Sequence, residues 1–405
     1  MIFDPLSESF AQDPYAVYAE LRKQQQPFYY DGVDGWILSR FADVEKVALN
    51  PIFVRSLSAF MAEEQIAEER RKANWHDMPN HSRYVQFSLL DSDGDVHFRL
   101  RKIVLSMFTG RYVERYRSMI QRYVDKLLNT LMEKQEIDFV EDLAAHVPGH
   151  IIGNVLGVPD EDCPQLRIWS ENVVQFFDVD RTDEHKQLAE QATSEFCEYL
   201  VELISQRRKQ PKEDLVSTLI QAEQAGNIDE TELISTCMLI LMAGHGSTID
   251  VMGSGMHALL QNPDQLERLR QDPGLISTAV QEMFRYESPL PFFHRHATED
   301  VEVLGKHYPK GSKFGLLYGS ANRDPARFAD ADKFDISRKP NRHIAFGRGA
   351  HLCLGNHLSR LDMEIVFLAL LEKAKSIELA TDAVKFKRSL SVRGPVCLPL
   401  LLTGH

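Results

Sequence analysis

Apolar residues recur at helical spacing along most of this chain. The periodicity predicts helices over 95–107, 111–134, 138–156, 161–178, 183–208, 213–224, 229–261, 264–271, 275–287 and 356–373, with shorter ones at 14–25 and 41–50. Alternating runs are few. Pro27-Phe28-Tyr29-Tyr30 and Trp36-Ile37-Leu38 read as a strand pair around Asp31-Gly32, short strand-like runs punctuated by Gly305, Pro309 and Gly311 follow between 291 and 319, and 376–380 and 396–402 read as terminal strands. Between Ile52 and Leu90 the pattern loosens into a polar stretch with isolated large residues, Phe60, Met61, Trp75, His76 and Phe87, and one helix over 61–72. A long irregular segment of this kind serves as a lid or binding loop, or is a plain surface excursion. With no repeat, linker or break in composition, the pattern predicts one mainly α domain over 1–405, about a dozen helices beside small β-sheets.

The 229–261 helix opens on Asp229 and Glu232, spaced as a capping box, and would run roughly 50 Å. Its middle, Ala243-Gly244-His245-Gly246-Ser247-Thr248, is poor helix material: an interior glycine costs about 1 kcal/mol against alanine, and Ser and Thr bond back to carbonyls a turn earlier. The stretch predicts a local opening put to functional use. Gly253 and Gly255 fit the plainer purpose of admitting a neighbouring helix.

Charge narrows the possibilities. The formal net charge of −13 argues against a nucleic-acid partner. The five cysteines are odd in number and show no C-x-x-C, which suits a reducing compartment. The first residues lack a basic segment followed by an apolar one, and no apolar run approaches the ~20 residues that span a bilayer. These features predict a soluble, cytoplasmic protein with no membrane attachment.

The chemistry concentrates at Phe346-Gly347-Arg348-Gly349-Ala350-His351-Leu352-Cys353-Leu354-Gly355, directly before a helix. Glycines let backbone approach a ligand closely. A cysteine at a helix mouth has its thiolate favoured by the free N–H groups, and such a thiolate suits an iron atom at which dioxygen is cleaved. Two other readings fail. Gly253-Ser254-Gly255 with Ala258 matches a dinucleotide fingerprint but lies inside a helix rather than after a strand. His146 and His150 have metal-ligand spacing, but Pro148 lies between them and no acid joins them.

The F-x-x-G-x-x-x-C-x-G spacing resembles the haem-binding loop of the cytochrome P-450 family, and three further motifs follow in the family's order. Residues 243–248 resemble its central helix, usually A-G-x-(Asp/Glu)-T. Glu282-Met283-Phe284-Arg285, with Arg338 after it, matches a buried triad, Glu282, Arg285 and Arg338, that braces the cysteine loop. His97 and Arg101 in an H-x-x-x-R, Arg295 and His351 match positions that hold the haem propionates.

The resemblance implies the P-450 fold, with haem b between the long central helix and the helix after the cysteine loop. It implies Cys353 as axial ligand and metal-binding residue, with Phe346, Gly347, Gly355 and Ala243 also against the cofactor. Catalysis falls to 246–248, where this chain departs from the family: Gly246 stands at the acidic position and Ser247 at the usual threonine, with Thr248 a second hydroxyl. Proton delivery then falls to water, Ser247, the substrate or Asp250. By family position the substrate pocket draws on the 52–90 segment, Phe176, Phe177, Met242, Leu290, Phe292, Phe293 and Leu390. The implied enzyme is a monomeric monooxygenase acting on a small hydrophobic substrate, with electrons from a ferredoxin and its NAD(P)H-dependent reductase that meet Lys102, Arg111 and Arg348. The missing acid leaves open peroxide-driven oxygenation, nitric oxide reduction and a non-catalytic haem-thiolate sensor.

Overall fold

A computed structural model describes residues 3–86, 88–179 and 181–404; Phe87, placed by the sequence in the candidate lid, lies outside them. Helices dominate. The strands, in chain order, are β1 (Phe28–Tyr30), β2 (Gly35–Leu38), β3 (Phe53–Val54), β4 (Glu136–Asp138), β5 (Phe293–Ala297), β6 (Val301–Val303), β7 (Lys306–Tyr308), β8 (Lys313–Leu316), β9 (Ala374–Leu379) and β10 (Pro399–Gly404). One sheet has the order β1-β2-β8-β5-β3, parallel only between β2 and β8, and a second has the order β4-β10-β9.

The central helix is Glu230–Gln261. Asp229 Oδ1 accepts from Glu232 N at 2.8 Å, and Glu232 returns a carboxylate oxygen to Asp229 N at 3.2 Å, which satisfies two donors of the first turn. Around it pack the helices Val147–Leu156, Cys163–Val174, Ile276–Tyr286 and Asn356–Lys373. This helix is long and apolar enough to cross a membrane by length and composition, yet 78% of its most apolar window is buried inside the protein, as in a core helix.

Three expectations about this bundle change. The glycine stretch opens nothing in the hydrogen bonding: the central helix runs unbroken through 243–248. Gly244 serves packing, since a Cβ there would stand 2.5 Å from Ile152 of the neighbouring helix; Gly253 and Gly255 do the same for Pro395 and Met283. The continuous helix predicted over 138–156 is instead β4, a π-helical turn over Phe139–Ala144 and the helix Val147–Leu156. Pro148 explains the restart, because proline lacks an N–H and fits only the first turn. Likewise 111–134 divides, and its long part is Arg117–Leu131. A short helix at Pro79–Tyr84, within the candidate lid, carries no apolar periodicity to betray it.

Candidate haem site

Cys353 ends a loop folded by backbone bonds. Its N–H donates to Phe346 O at 2.9 Å, Gly347 N to Ile344 O at 2.9 Å and Leu352 N to Gly349 O at 3.1 Å, and the helix Asn356–Lys373 follows at once. Gly347 (φ 69°) and Gly349 (φ 74°) take left-handed conformations that a side chain would strain. Cys353 is surrounded by protein but reachable from solvent, so it borders an internal cleft. Burial pushes its thiol up, while the Gly355 N–H and the Arg101 and Arg360 guanidiniums favour the thiolate. Arg360 lies 4.6 Å from the Phe346 ring centroid.

The predicted triad assembles behind this loop. Arg285 donates twice to Glu282, at 2.8 Å each, and Arg338 Nε reaches Glu282 Oε1 at 3.1 Å. Arg285 also donates to the carbonyls of Asn322, Ala331 and Lys333, so the pair is buried but saturated. Asn322 Oδ1 accepts from Ile344 N at 2.8 Å and passes the brace on to the cysteine loop.

His97 and His351 meet, with ring centroids 4.4 Å apart. Arg101 donates to the carbonyl of Leu352, and Arg295, buried, donates to that of His294 at 2.8 Å. His97 is only 1% exposed, yet neither ring nitrogen has a partner among the described residues. Burial first, then the charges of His351 and Arg101, push it down to about 4. Burial also depresses Arg101, Arg295 and His351. Such a group of cations and unpartnered donors fits a molecule bearing two carboxylates.

Asp93 is the residue sequence reasoning missed. Its Oδ1 lies 2.9 Å from His351 Nε2, and its Oδ2 accepts from the backbone N–H of Arg55 and Ser56. Against the upward effect of burial, those bonds hold its carboxyl below the usual range. Asp93 stands four residues before His97, a spacing too common to mark it, and only the fold brings it to His351.

On the central helix, Ala243 is exposed and Gly246 and Ser247 are half-buried, while Met242, His245 and Thr248 between and beside them are buried. Ala243, Gly246 and Ser247, spaced three and four apart, form one stripe bordering internal space. Thr248 is buried, and His245 turns inward with Nδ1 3.1 Å from Leu241 O. Asp250 pairs with Lys387 at 2.7 Å. Burial raises its carboxyl against that lysine's pull.

The candidate pocket residues divide. Phe176 and Phe177 meet Trp75 of the 52–90 segment, at 5.1 and 5.3 Å between centroids. Phe292 and Leu390 share a second apolar cluster, Phe293 packs against a third, Met242 belongs to the main core, and Leu290 is half-buried outside them. Of the proposed docking cations, Arg348 lies 3.5 Å from a Glu45 oxygen. His150, read as lacking an acid, has Asp160 at 3.6 Å, because the turn after Gly157 folds back on its helix.

A family model described as Cytochrome P450 matches residues 57–273 and 274–389. The chain belongs to the cytochrome P450 family. Cytochrome P450 107B1 of Saccharopolyspora erythraea is 36% identical over 399 residues, covering 97% of this chain and 96% of that one. The polyketide biosynthesis cytochrome P450 PksS of Bacillus subtilis is 33% identical, covering 100% of this chain and 99% of its own. The solved structure of P450BioI with an acyl carrier protein bearing hexadec-9Z-enoic acid has a TM-score of 0.90 at 30% identity, covering 98% of this chain and 99% of that one. Relatives of this kind are named hydroxylases and monooxygenases. This cytochrome P450 is an oxygenase of bacterial type, with the family's fold and a haem cofactor.

Proposed function

We propose that this cytochrome P450 binds haem b with Cys353 as axial thiolate and inserts one oxygen atom from dioxygen into a hydrophobic small molecule. The observation that carries the reading is the unpartnered imidazole of His97 beside His351, Arg101 and Arg295, a cradle suited to two propionates. Haem bound there supplies dioxygen activation and the oxidising power for the insertion.

The chain's own groups do the rest. The Gly355 N–H and the Arg101 and Arg360 charges favour sulfur in its anionic form. The Glu282–Arg285–Arg338 cluster fixes the loop that carries the sulfur. Ala243 and Gly246 leave room on the opposite wall, where Ser247 offers a hydroxyl as hydrogen-bond donor. No carboxylate stands at position 246 and Asp250 is engaged by Lys387, so protons reach the site through water, Ser247 or a substrate hydroxyl.

In this reading the protein is a single-domain, soluble, cytoplasmic monomer over 1–405, and electrons come from a separate ferredoxin and its NAD(P)H-dependent reductase. The names of PksS and of the acyl-carrier complex of P450BioI support a substrate from polyketide or fatty-acyl biosynthesis. The glycine at position 246, where the family carries an acid, favours one second reading, atypical chemistry that needs no acid there: peroxide-driven oxygenation, nitric oxide reduction or haem-thiolate sensing. Reduction under carbon monoxide tests the first part. The wild type should give the red-shifted Soret band of thiolate ligation, and Cys353→Ala should lose it; a wild type without that band overturns the reading. Turnover with surrogate ferredoxin and reductase then separates oxygenase from sensor.

A further inference from the structure

Among the described residues outside the haem site, one group brings three metal-ligating side chains together: His150, Asp160 and Cys163. Their ligand atoms all lie within 4.8 Å of one another. His150 stands on the helix Val147–Leu156, which gives way at Gly157 to a left-handed turn (φ 92°). The chain then doubles back through the short turn Asp160–Asp162, and Cys163 opens the helix Cys163–Val174. His146, the other histidine of the spacing noted in the sequence, is not in the group.

The fold holds each of these side chains in place. Tyr123 stacks on the His150 ring, with centroids 3.8 Å apart and planes 9° from parallel. Asn154, one turn after His150, donates its Nδ2 to Asp160 Oδ1 at 3.0 Å and lies 3.4 Å from His150 Nε2. His150 Nδ1 stands 3.6 Å from the same carboxylate oxygen. Gly153 seats the thiol, since a Cβ there would come within 2.6 Å of Cys163 Sγ. That buried sulfur has Pro159 O at 3.5 Å. Outer contacts of this kind orient metal ligands.

The donor set selects the ion. One nitrogen, one sulfur and one oxygen suit zinc, whereas calcium and magnesium take oxygen ligands and a single thiol holds no iron–sulfur cluster. A thiolate and a carboxylate balance the ion's two charges, so no net charge is buried beside the sulfur. Around zinc the ligand atoms stand about 3.3–3.8 Å apart, so closing on the ion asks a shift of about 1 Å. Asp160, 67% exposed on its turn, is free to make it.

We infer that His150, Asp160 and Cys163 form a zinc site whose fourth position is left to water. Binding exchanges the Cys163 thiol proton, released to solvent, for a sulfur–zinc bond. The ion clips together two helices that both lean on the central helix. Ile152 of the first packs against Gly244, and Ser170 of the second donates to Met242 O at 3.4 Å. The site stands apart from the oxygenase reading, and its role is structural.

The test is calorimetric titration of the haem-loaded enzyme with zinc chloride after removal of free metal, followed by zinc-edge X-ray absorption of the same samples. Wild type should take up one zinc per chain, with one sulfur at about 2.3 Å beside nitrogen and oxygen at about 2.0–2.2 Å. Cys163→Ser should lose the sulfur. Asp160→Asn, on the exposed turn, should leave the fold intact and weaken binding at least about tenfold. Where Cys163→Ser fails to fold, His150→Gln takes its place and should weaken binding to a similar degree. No uptake by wild type, a zinc shell without sulfur, or equal affinity in wild type and variants overturns the site; the last two mark an adventitious ion only.

Discussion

A Cβ built on Gly246 meets no atom within 4 Å, and the flanking Ala243 and Ser247 border the same internal space. A Cβ there forces no neighbour to move, and an aspartate restores a carboxylate where the family carries one. Gly246→Asp should therefore raise product formed per NADH consumed and lower released peroxide. Paired measurement of the two against NADH oxidation checks this, and no change in either would remove Gly246 as the deficient position. At this scale the sequence was informative wherever one residue type has a narrow use. Among the residues the motifs singled out, the fold pairs Glu282 with Arg285 and brings His97 to His351. Asp93 escaped because an aspartate four residues before a histidine has many ordinary uses, and only the fold brings His351 to it.

Within the central helix the glycines separate by what their missing side chains admit. Gly253 leaves room for Pro395 and Val140, whose atoms would stand 2.6 and 3.2 Å from a Cβ, and the proline ring cannot swing aside. Gly246 faces open space. Gly253→Ala should lower stability by about 1–3 kcal/mol through overpacking, whereas Gly246→Ala should raise it by about 1 kcal/mol through helix propensity. Urea denaturation of the two variants beside wild type checks the opposite signs; equal shifts would show that position 246 is also packed. The sequence allowed a glycine-weakened helix but not its intact hydrogen bonding, because neighbours such as Ile152 support the backbone from outside. For the same reason periodicity merged the π-helical turn at Phe139–Ala144 with the helix after it. Both bury the same side, and burial is all that periodicity reports.

Across the whole molecule, one buried acid ties together segments that no local pattern connects. Glu287 accepts from Tyr15 at 2.7 Å and from Arg393 Nε at 2.6 Å, and lies 3.6 Å from Arg323. Arg393 also donates to Ala11 O at 2.8 Å, so the N-terminal helices, the segment after the Ile276–Tyr286 helix and the last loop share one cluster. Burial pushes the Glu287 carboxyl up, but Arg393 and Arg323 outweigh it and the net shift is downward. A carboxyl whose folded value is depressed contributes stability above its unfolded value of about 4.3, and that contribution is lost as pH falls through the folded value. Glu287→Gln leaves two buried guanidiniums without their counter-charge and should cost about 3–5 kcal/mol at neutral pH. The gap between wild type and variant should then narrow as pH falls below about 4, since the wild type loses by protonation what the variant never had. Urea denaturation of both proteins from pH 7 downward measures that gap. A gap that stayed constant with pH would mean that Glu287 acts through packing and hydrogen bonds alone, and that the charge of Arg393 and Arg323 is balanced elsewhere in the fold.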